Sequence, residues 1–104
     1  MNNNALPQKN CLPVTVVIPH KNRLEDLQKC IHSLRTLVEQ PAAVIVVDDN
    51  SESAYLDAIE ATCHQYSARL VGIRASVGTA IAKNVGLSLC DTEYIWFLDS
   101  DTEV

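Results

Sequence analysis

Two short apolar runs in this sequence end abruptly in acidic residues, and this feature constrains the fold more than any other. The runs are Val44–Val47, followed by Asp48–Asp49, and Tyr94–Leu98, followed by Asp99–Asp101. Short runs of β-branched and aromatic residues are typical of buried strands, and open parallel α/β sheets bind ligands at the carboxyl ends of their strands. The two acidic clusters should therefore meet at one edge of the fold. Because clustered carboxylates repel each other unless a cation lies among them, they predict a site for a divalent metal and a phosphorylated ligand.

The size and charge of the chain narrow its class. It has 104 residues, of which 47 % are hydrophobic, and this suits one compact domain with its own core. Its net charge of −5 argues against nucleic-acid binding, because no basic stripe is present to neutralise phosphates. No apolar stretch reaches the length of a membrane span, and Met1–Asn4 lacks the basic and apolar parts of a signal peptide.

The cysteines indicate a reducing environment. They are widely spaced and form no CxxC pair, at positions Cys11, Cys30, Cys63 and Cys90. We expect reduced thiols that pack as small apolar groups in a cytoplasmic protein. A zinc site is disfavoured, since structural zinc ligands usually occur in closely spaced pairs.

The chain alternates strand and helix patterns. We predict strands at Val14–Ile18, Ala43–Val47, Arg69–Ile73 and Tyr94–Leu98. Helices are expected between them, beginning near Asn22, Ser53 and Gly78. Residues 1–12 are predicted to form a flexible N-terminal arm, and residues 13–104 to form one folded unit. With right-handed crossovers, the order βαβαβαβ predicts a three-layer α/β/α, Rossmann-like fold with a mostly parallel sheet.

The helices are predicted from apolar spacing and from their ends. In the first helix, Asn22 is placed as the N-cap with Glu25 in capping-box position, and Pro41 ends the helix. In the third, Gly86 is locally unfavourable by ~1 kcal/mol relative to alanine, which indicates close packing of that helix on the sheet. The apolar stripes are Leu24, Leu27, Ile31, Leu34 and Val38 in the first helix, Leu56, Ile59, Cys63 and Tyr66 in the second, and Ile81, Val85 and Leu89 in the third.

The acidic segments each have a functional and a structural interpretation. Asp48 and Asp49 are placed to accept hydrogen bonds from a nucleobase or a ribose, but aspartate also favours turns and helix caps. Asp99 and Asp101 alternate, so on an extended strand both carboxylates face the same way and can hold one Mg²⁺ or Mn²⁺, which leaves positions for phosphate oxygens. A solvated acidic turn is the alternative for this second segment.

Two further segments are expected at the same edge of the sheet. The helix that follows Gly78 begins with free backbone N–H groups that suit an anion, and Lys83 within it lies either near a phosphate or in solvent. This segment contains neither a GxGxxG nor a P-loop pattern, which excludes dinucleotide and Walker-type sites. His20–Arg23 follows the first strand, where we expect a mixture of helix capping and ligand binding.

In order and spacing, four segments resemble the amino-terminal half of family-two glycosyltransferases, which have the GT-A fold. The segments are Val14–Arg23, Val46–Ser51, Gly78–Gly86 and Tyr94–Asp101, within roughly residues 13–104. Each is weak alone, but the ordered set is specific. The resemblance implies the nucleotide-diphospho-sugar- and metal-binding portion of a glycosyltransferase, with a UDP-sugar as the first candidate donor and guanosine and thymidine donors left open.

The resemblance also implies roles for individual residues. Pro19 and the residues after it would line the base pocket, and Asp49, helped by Asp48, would bind uracil or ribose. Asp99 and Asp101 match the DxD motif, which holds a divalent metal, Mg²⁺ or Mn²⁺, on the donor pyrophosphate. The full set of implied donor-binding residues is Pro19, His20, Asn22, Asp48, Asp49, Gly78, Lys83, Asp99 and Ser100.

The chain also departs from the family pattern. His20 and Lys21 stand where members often carry a small residue and an aromatic one, and Ser76 stands where many carry asparagine, so the base pocket is altered. The sequence ends three residues after Asp101, whereas members continue into an acceptor site with a carboxylate general base. We therefore expect a truncated chain, a gene fragment or a free-standing half-domain, and we assign no catalytic residue.

Two other interpretations remain open. One is a non-catalytic nucleotide-binding or dimerisation module of the same fold, because Tyr94–Leu98 would form an apolar edge strand that invites a homodimer. The other is a receiver-like phospho-acceptor domain, in which Asp48–Asp49 and Asp99 would form the acidic site. Against the receiver, an additional strand and helix precede the acidic pair, and Asp101 has no role in such a domain.

Overall fold

The computed structural model describes residues 11–102 and shows an alternating series of strands and helices. The strands are β1 (Cys11–His20), β2 (Gln40–Asp49), β3 (Arg69–Ile73) and β4 (Tyr94–Phe97). The helices are α1 (Leu24–Arg35), α2 (Ser53–Gln65) and α3 (Thr79–Ser88). The order βαβαβαβ confirms the sequence prediction.

The described strands pair in parallel, in the order β3-β2-β1-β4. One face carries α1 and α2 on a core that includes Val16, Ile18 and Val46, and the other face carries α3 on a core that includes Val17 and Val47. Successive residues of a strand point to opposite faces, so strands covered on both sides are apolar almost throughout. The result is the three-layer α/β/α, Rossmann-like fold that the sequence predicted.

The direction of winding reverses at β1. The chain moves outward from β1 through β2 to β3, and α3 then carries it back across the opposite face of the sheet to β4. In sheets wound this way, ligands bind at the carboxyl ends of the strands, beside the point of reversal. The space between the ends of β1 and β4 is therefore the favoured position for a site.

The first two strands are longer than predicted. β1 begins at Cys11, so the last two residues of the predicted arm, 11 and 12, belong to the sheet and pair with Gln40 and Pro41 of β2. The rest of that arm, residues 1–10, lies outside the described part of the chain. β2 continues through Asp49, so both members of the first acidic pair are strand residues.

The first helix is shorter than predicted at its carboxyl end. It ends at Arg35, and the side-chain amide of Gln40 donates to the carbonyl oxygen of Leu34 at 3.2 Å. Pro41 therefore does not end the helix but lies in β2. The predicted apolar position at Val38 is wrong, because Val38 lies beyond the helix and is 95 % exposed.

Two other apolar stripes are narrower than predicted, and one packing prediction is confirmed. Leu56 in α2 and Ile81 in α3 are exposed, because only the residues directly over the sheet are covered.

A Cβ at Gly86 would collide with the side chain of Val17 and lie 3.3 Å from Cγ2 of Val47. The glycine therefore permits the close approach of α3 to β1 and β2 that the sequence predicted.

Within residues 11–102 the cysteines form no disulfide, in agreement with the predicted reduced thiols. Cys30 and Cys63 lie in the core between the sheet and the pair α1 and α2. Burial raises the pKa of the Cys63 thiol to about 11, and the charge of Asp48 adds to the effect. Within residues 11–102, no helix combines the length and the apolarity that crossing a bilayer requires.

Candidate functional site

The carboxyl ends of β1 and β4 open into a cleft of about 280 Å³. It lies where the winding of the sheet reverses, the position that open α/β sheets use for ligands. The ends of β1 and β2, the loops after β1 and β4, and the first turn of α3 contribute its walls. The lining residues are Pro19, His20, Lys21, Arg23, Asp49, Thr79, Ala82, Asp99, Ser100 and Asp101. Residues from both predicted acidic clusters thus share one cleft.

The second acidic segment forms a turn rather than the extended strand that we predicted. The backbone N–H of Thr102 donates to the carbonyl oxygen of Asp99 at 3.0 Å. Asp99 and Asp101 are exposed, while Ser100 between them is buried. Within residues 11–102, the carboxylates of Asp99 and Asp101 make no hydrogen bond or ion pair to protein groups. Both are therefore available to a ligand that enters the cleft.

The donor set of this turn fits a hard divalent cation. Carboxylate oxygens are the ligands that Mg²⁺ prefers, and Mg²⁺ in nucleotide sites is commonly held by one or two carboxylates together with substrate phosphates. Across the described chain, no group of three or more histidine, cysteine or acidic side chains is arranged to hold a metal ion. The pair Asp99 and Asp101 therefore suits a metal that is also bound by phosphate oxygens.

A buried thiol lies directly behind the acidic turn. The Sγ atom of Cys30 donates to the carbonyl oxygen of Asp99 at 3.8 Å. The pKa of the Cys30 thiol is raised to about 11, chiefly by burial and further by the charges of Asp101 and Asp99. The thiol is therefore protonated at neutral pH and supports the turn as a neutral donor.

Asp49 fixes the start of α3. Its two carboxylate oxygens accept hydrogen bonds from the backbone N–H groups of Val77 and Gly78, each at 2.9 Å. Gly78 has φ +92° and ψ 164°, a conformation that side chains rarely adopt. Gly78 is not part of the cleft wall, whereas Thr79 and Ala82 of α3 are. The N–H of Gly78 is occupied by Asp49, and the anion site predicted at this helix start stays a prediction.

The side chain of Asp48, near the end of β2, bonds residues of the first strand and of the loop after β2. It is buried and accepts hydrogen bonds from His20 Nδ1 at 3.0 Å, from Ser51 Oγ at 2.6 Å and from the Ser51 backbone N–H at 3.1 Å. The other ring nitrogen of His20, Nε2, accepts the backbone N–H of Arg23 at 3.1 Å. These two contacts assign the Nδ1–H tautomer to His20. Asp48 does not line the cleft, and its contacts favour the turn interpretation over direct ligand binding.

Asn22 does not cap the helix that follows it, which corrects the predicted capping box with Glu25. The N-cap of α1 is Arg23, and no side chain caps that helix. The Asn22 backbone has φ 56°, and its Oδ1 accepts the backbone N–H of Glu52 at 2.7 Å, while its own N–H donates to Ser51 Oγ at 2.8 Å. Asn22 therefore joins the loops after β1 and β2 and lies outside the cleft wall.

One of the cations that the sequence placed at this edge lies outside the cleft. Lys83 lies outside the lining, with its Nζ 5.6 Å from the ring centroid of Phe97 on β4. Lys21 and Arg23 line the cleft instead. Both belong to the segment His20–Arg23, for which the sequence predicted a mixture of helix capping and ligand binding.

The family model described as glycosyl transferase family 2 matches residues 15–104. Among curated relatives, the pre-mycofactocin glycosyltransferase of Mycobacterium tuberculosis is 38 % identical over 92 residues, covering 85 % of this chain and 17 % of the relative. The chain therefore spans less than a fifth of the length of that relative.

Solved structures share the fold. A mannosyltransferase from Pyrobaculum calidifontis, in complex with GDP-Man and Mn²⁺, superposes with a TM-score of 0.77 at 24 % identity, over 88 % of this chain and 28 % of that one. S. aureus TarS 1-349, in complex with UDP-GlcNAc, gives a TM-score of 0.74 at 24 % identity, over 86 % of this chain and 27 % of that one. At 24 % identity, the similarity to these two structures establishes the fold of the chain.

Proposed function

The chain belongs to glycosyl transferase family 2, and on that premise we propose that residues 11–102 form the nucleotide-sugar- and metal-binding portion of a glycosyltransferase. One observation carries the proposal. Asp99 and Asp101 line the cleft that also contains Pro19 and Asp49, at the reversal point of the sheet, and their carboxylates have no hydrogen-bond or ion-pair partner among residues 11–102. An acidic pair in this position suits the metal complex of a diphosphate.

Asp99 and Asp101 would hold the Mg²⁺ or Mn²⁺ ion, and Ser100 would lie beside the donor. When bound, the ion would offset the negative charge that develops on the departing diphosphate. The complex of the Pyrobaculum mannosyltransferase with Mn²⁺ supports this choice of cation. No general base for an acceptor hydroxyl is assigned among the described residues, and the sugar acceptor is left open.

The nucleoside would occupy the end of the cleft at Asp49, because β1 separates the ends of β2 and β4. Pro19 and His20 would form the wall of this end, and Asp49 would contact the base or the ribose. Asp48 and Asn22 would act indirectly, since their hydrogen bonds hold the loops after β1 and β2 together. The neighbours in complex with UDP-GlcNAc and GDP-Man support a nucleotide-sugar donor, for which we propose a UDP-sugar.

An amide NMR titration of the 104-residue chain with UDP and Mg²⁺ tests this function. We expect chemical-shift changes at Asp49, Gly78 and Asp99 that disappear on addition of EDTA. Asp101→Asn should abolish the metal-dependent part, and Asp91→Asn, which changes an exposed carboxylate outside the cleft, should leave it intact. A folded protein that shows no shift with UDP, GDP or dTDP would contradict the proposal.

The outer edge of β4 favours a second role, as a dimerisation surface. Among the described strands β4 pairs only with β1, and Tyr94, Trp96 and Phe97 are 58 %, 38 % and 39 % exposed. We propose that a second copy of the chain covers this edge, since a strand edge with apolar side chains pairs readily with another chain. Light scattering should show a dimer that Trp96→Lys converts to a monomer. A monomeric wild type at high concentration would refute the dimer.

The cysteines form no disulfide within residues 11–102, and this supports the cytoplasmic location that the sequence predicts. Two of them, Cys11 and Cys90, are partly accessible. Thiol trapping of the protein in cells, followed by mass spectrometry, should find all four reduced. A disulfide in the trapped protein would contradict this location.

A further inference from the structure

Lys21 and Arg23 both line the cleft, and their contacts direct them to different sides of it. The ammonium group of Lys21 donates to the hydroxyl of Ser76, which follows β3, at 2.7 Å. Arg23 immediately precedes α1. This helix packs behind the acidic turn, where the Sγ atom of Cys30 donates to the carbonyl oxygen of Asp99 at 3.8 Å. Of the two cations, Arg23 is therefore the one on the side of the acidic turn.

Hydrogen bonds at the backbone and at the side chain hold Arg23 in place. Its backbone N–H donates to Nε2 of His20 at 3.1 Å, and the His20 side chain is itself fully buried against Asp48. The guanidinium Nε donates to Oδ2 of Asp26 at 2.8 Å. Within residues 11–102, the Nη groups of Arg23 donate no hydrogen bond, and 62 % of the side chain is exposed. The guanidinium group is thus oriented through Nε, with both Nη groups available to a ligand.

The charge of the proposed ligand complex favours a protein cation at this position. The diphosphate of UDP carries about three negative charges at neutral pH, and a bound Mg²⁺ ion offsets only about two of them. The carboxylates of Asp99 and Asp101 add negative charge to the same part of the cleft. A guanidinium group offsets the excess, and its planar fork can bind a pair of phosphate oxygens at once.

We propose that Arg23 binds the diphosphate of the donor, beside the metal ion that Asp99 and Asp101 would hold. This inference rests on the proposed function, and it gives the diphosphate a direct protein contact besides the metal. The Nη groups donate to phosphate oxygens, while Nε stays bonded to Asp26. Such a contact strengthens the binding of UDP but not of uridine, which has no phosphate. An arginine that only supported the loop after β1 would change both affinities together.

The test compares UDP with uridine, which share the base and the ribose and differ in the diphosphate. Affinities are measured by NMR titration in Mg²⁺ for the wild type, Arg23→Met and Arg23→Lys. The matched control is Arg69→Met, which changes an exposed arginine at the amino end of β3. We expect Arg23→Met to weaken UDP about tenfold and to leave uridine unchanged. Arg23→Lys keeps the charge but not the fork, so it should weaken UDP only about threefold, and Arg69→Met should match the wild type.

The possible failures are distinguishable, because urea denaturation first confirms that each variant is folded. If Arg23→Met weakens UDP and uridine by the same factor, Arg23 supports the loop and the diphosphate contact is refuted. An unchanged UDP affinity in Arg23→Met, or an equal loss in Arg69→Met, also refutes it. If the folded wild type binds no nucleoside diphosphate, the proposed function itself fails, and the role of Arg23 fails with it.

Discussion

Replacing Gly86 with alanine should destabilise the protein, although alanine is the better helix former. In an exposed helix the substitution would stabilise by about 1 kcal/mol. Here the new Cβ would collide with one γ-methyl group of Val17 and lie 3.3 Å from the other and from Cγ2 of Val47. Both valines are fully buried on neighbouring strands, and their β-branched side chains have few alternative rotamers. The overlap is therefore relieved only by moving α3 away from the sheet.

The size of the effect follows from the balance of these two terms. Overpacking a core costs about 1–3 kcal/mol, and a collision with a fully buried strand residue belongs at the upper end. After subtraction of the gain in helix propensity, we expect Gly86→Ala to lose about 2 kcal/mol of unfolding free energy. For a domain of this size, that corresponds to a shift of the urea midpoint by about 1 M.

Urea denaturation followed by circular dichroism measures this loss, and Gly72→Ala is the matched control. No heavy atom lies within 4 Å of a Cβ at Gly72, so alanine there should leave stability unchanged or raise it by about 0.5 kcal/mol. A double-mutant cycle with Val17→Ala isolates the contact, since the smaller side chain makes room for the new Cβ. A coupling of about 1 kcal/mol or more is expected. A Gly86→Ala variant as stable as the wild type, or zero coupling, would refute the reasoning.

Three further predictions concern buried and strained groups. The pKa values of the Cys30 and Cys63 thiols are raised from 9.0 to about 11, so the folded state retains these protons to higher pH than the unfolded state. The unfolding free energy from urea denaturation should therefore be constant up to about pH 8 and then fall, by roughly 2 kcal/mol per thiol at pH 11, and less steeply in Cys63→Ala. Asp48→Asn should lower the unfolding free energy by about 2–4 kcal/mol, because three donors lose a buried carboxylate. Asp99→Asn, at an exposed position, should change it by less than about 0.5 kcal/mol. Similar losses for the two variants in thermal unfolding would contradict these expectations. Gly78→Ala should cost about 1–3 kcal/mol through backbone strain at φ +92°, and an unchanged urea midpoint would contradict that estimate.

Local pattern was sufficient for the order and class of the elements. Runs such as Val44–Val47 are apolar on both faces, which is possible only for a strand covered by helices on each side. The bounds of β3 and the start of α2 at Ser53 were predicted correctly, because the apolar period changes there within a few residues. The end of α1 was not predicted correctly. The side chain of Gln40 accepts a hydrogen bond from Arg35 and donates one to the carbonyl oxygen of Leu34, and the apolar spacing within the helix gives no sign of these contacts.

The two aspartates at the end of β2 illustrate what a sequence pattern leaves undecided. Asp48 and Asp49 are adjacent and chemically identical, and alternation along the strand sends their side chains in different directions. Asp48 contacts His20, 28 positions earlier, and Asp49 contacts Val77, 28 positions later. Such partners depend on which loops the parallel sheet brings together.

The sequence by itself determined the alternation of strands and helices, the family, and the clustering of acidic residues at strand ends, because periodicity and composition are local properties of the chain. Only the tertiary structure decided that the side chain of Asn22 bonds the loop after β2 and that Lys83 lies outside the cleft. These relations depend on the strand order β3-β2-β1-β4 and on the winding that reverses at β1. Both are set by packing and strand pairing between residues that are far apart in the chain, and local sequence patterns do not specify such contacts.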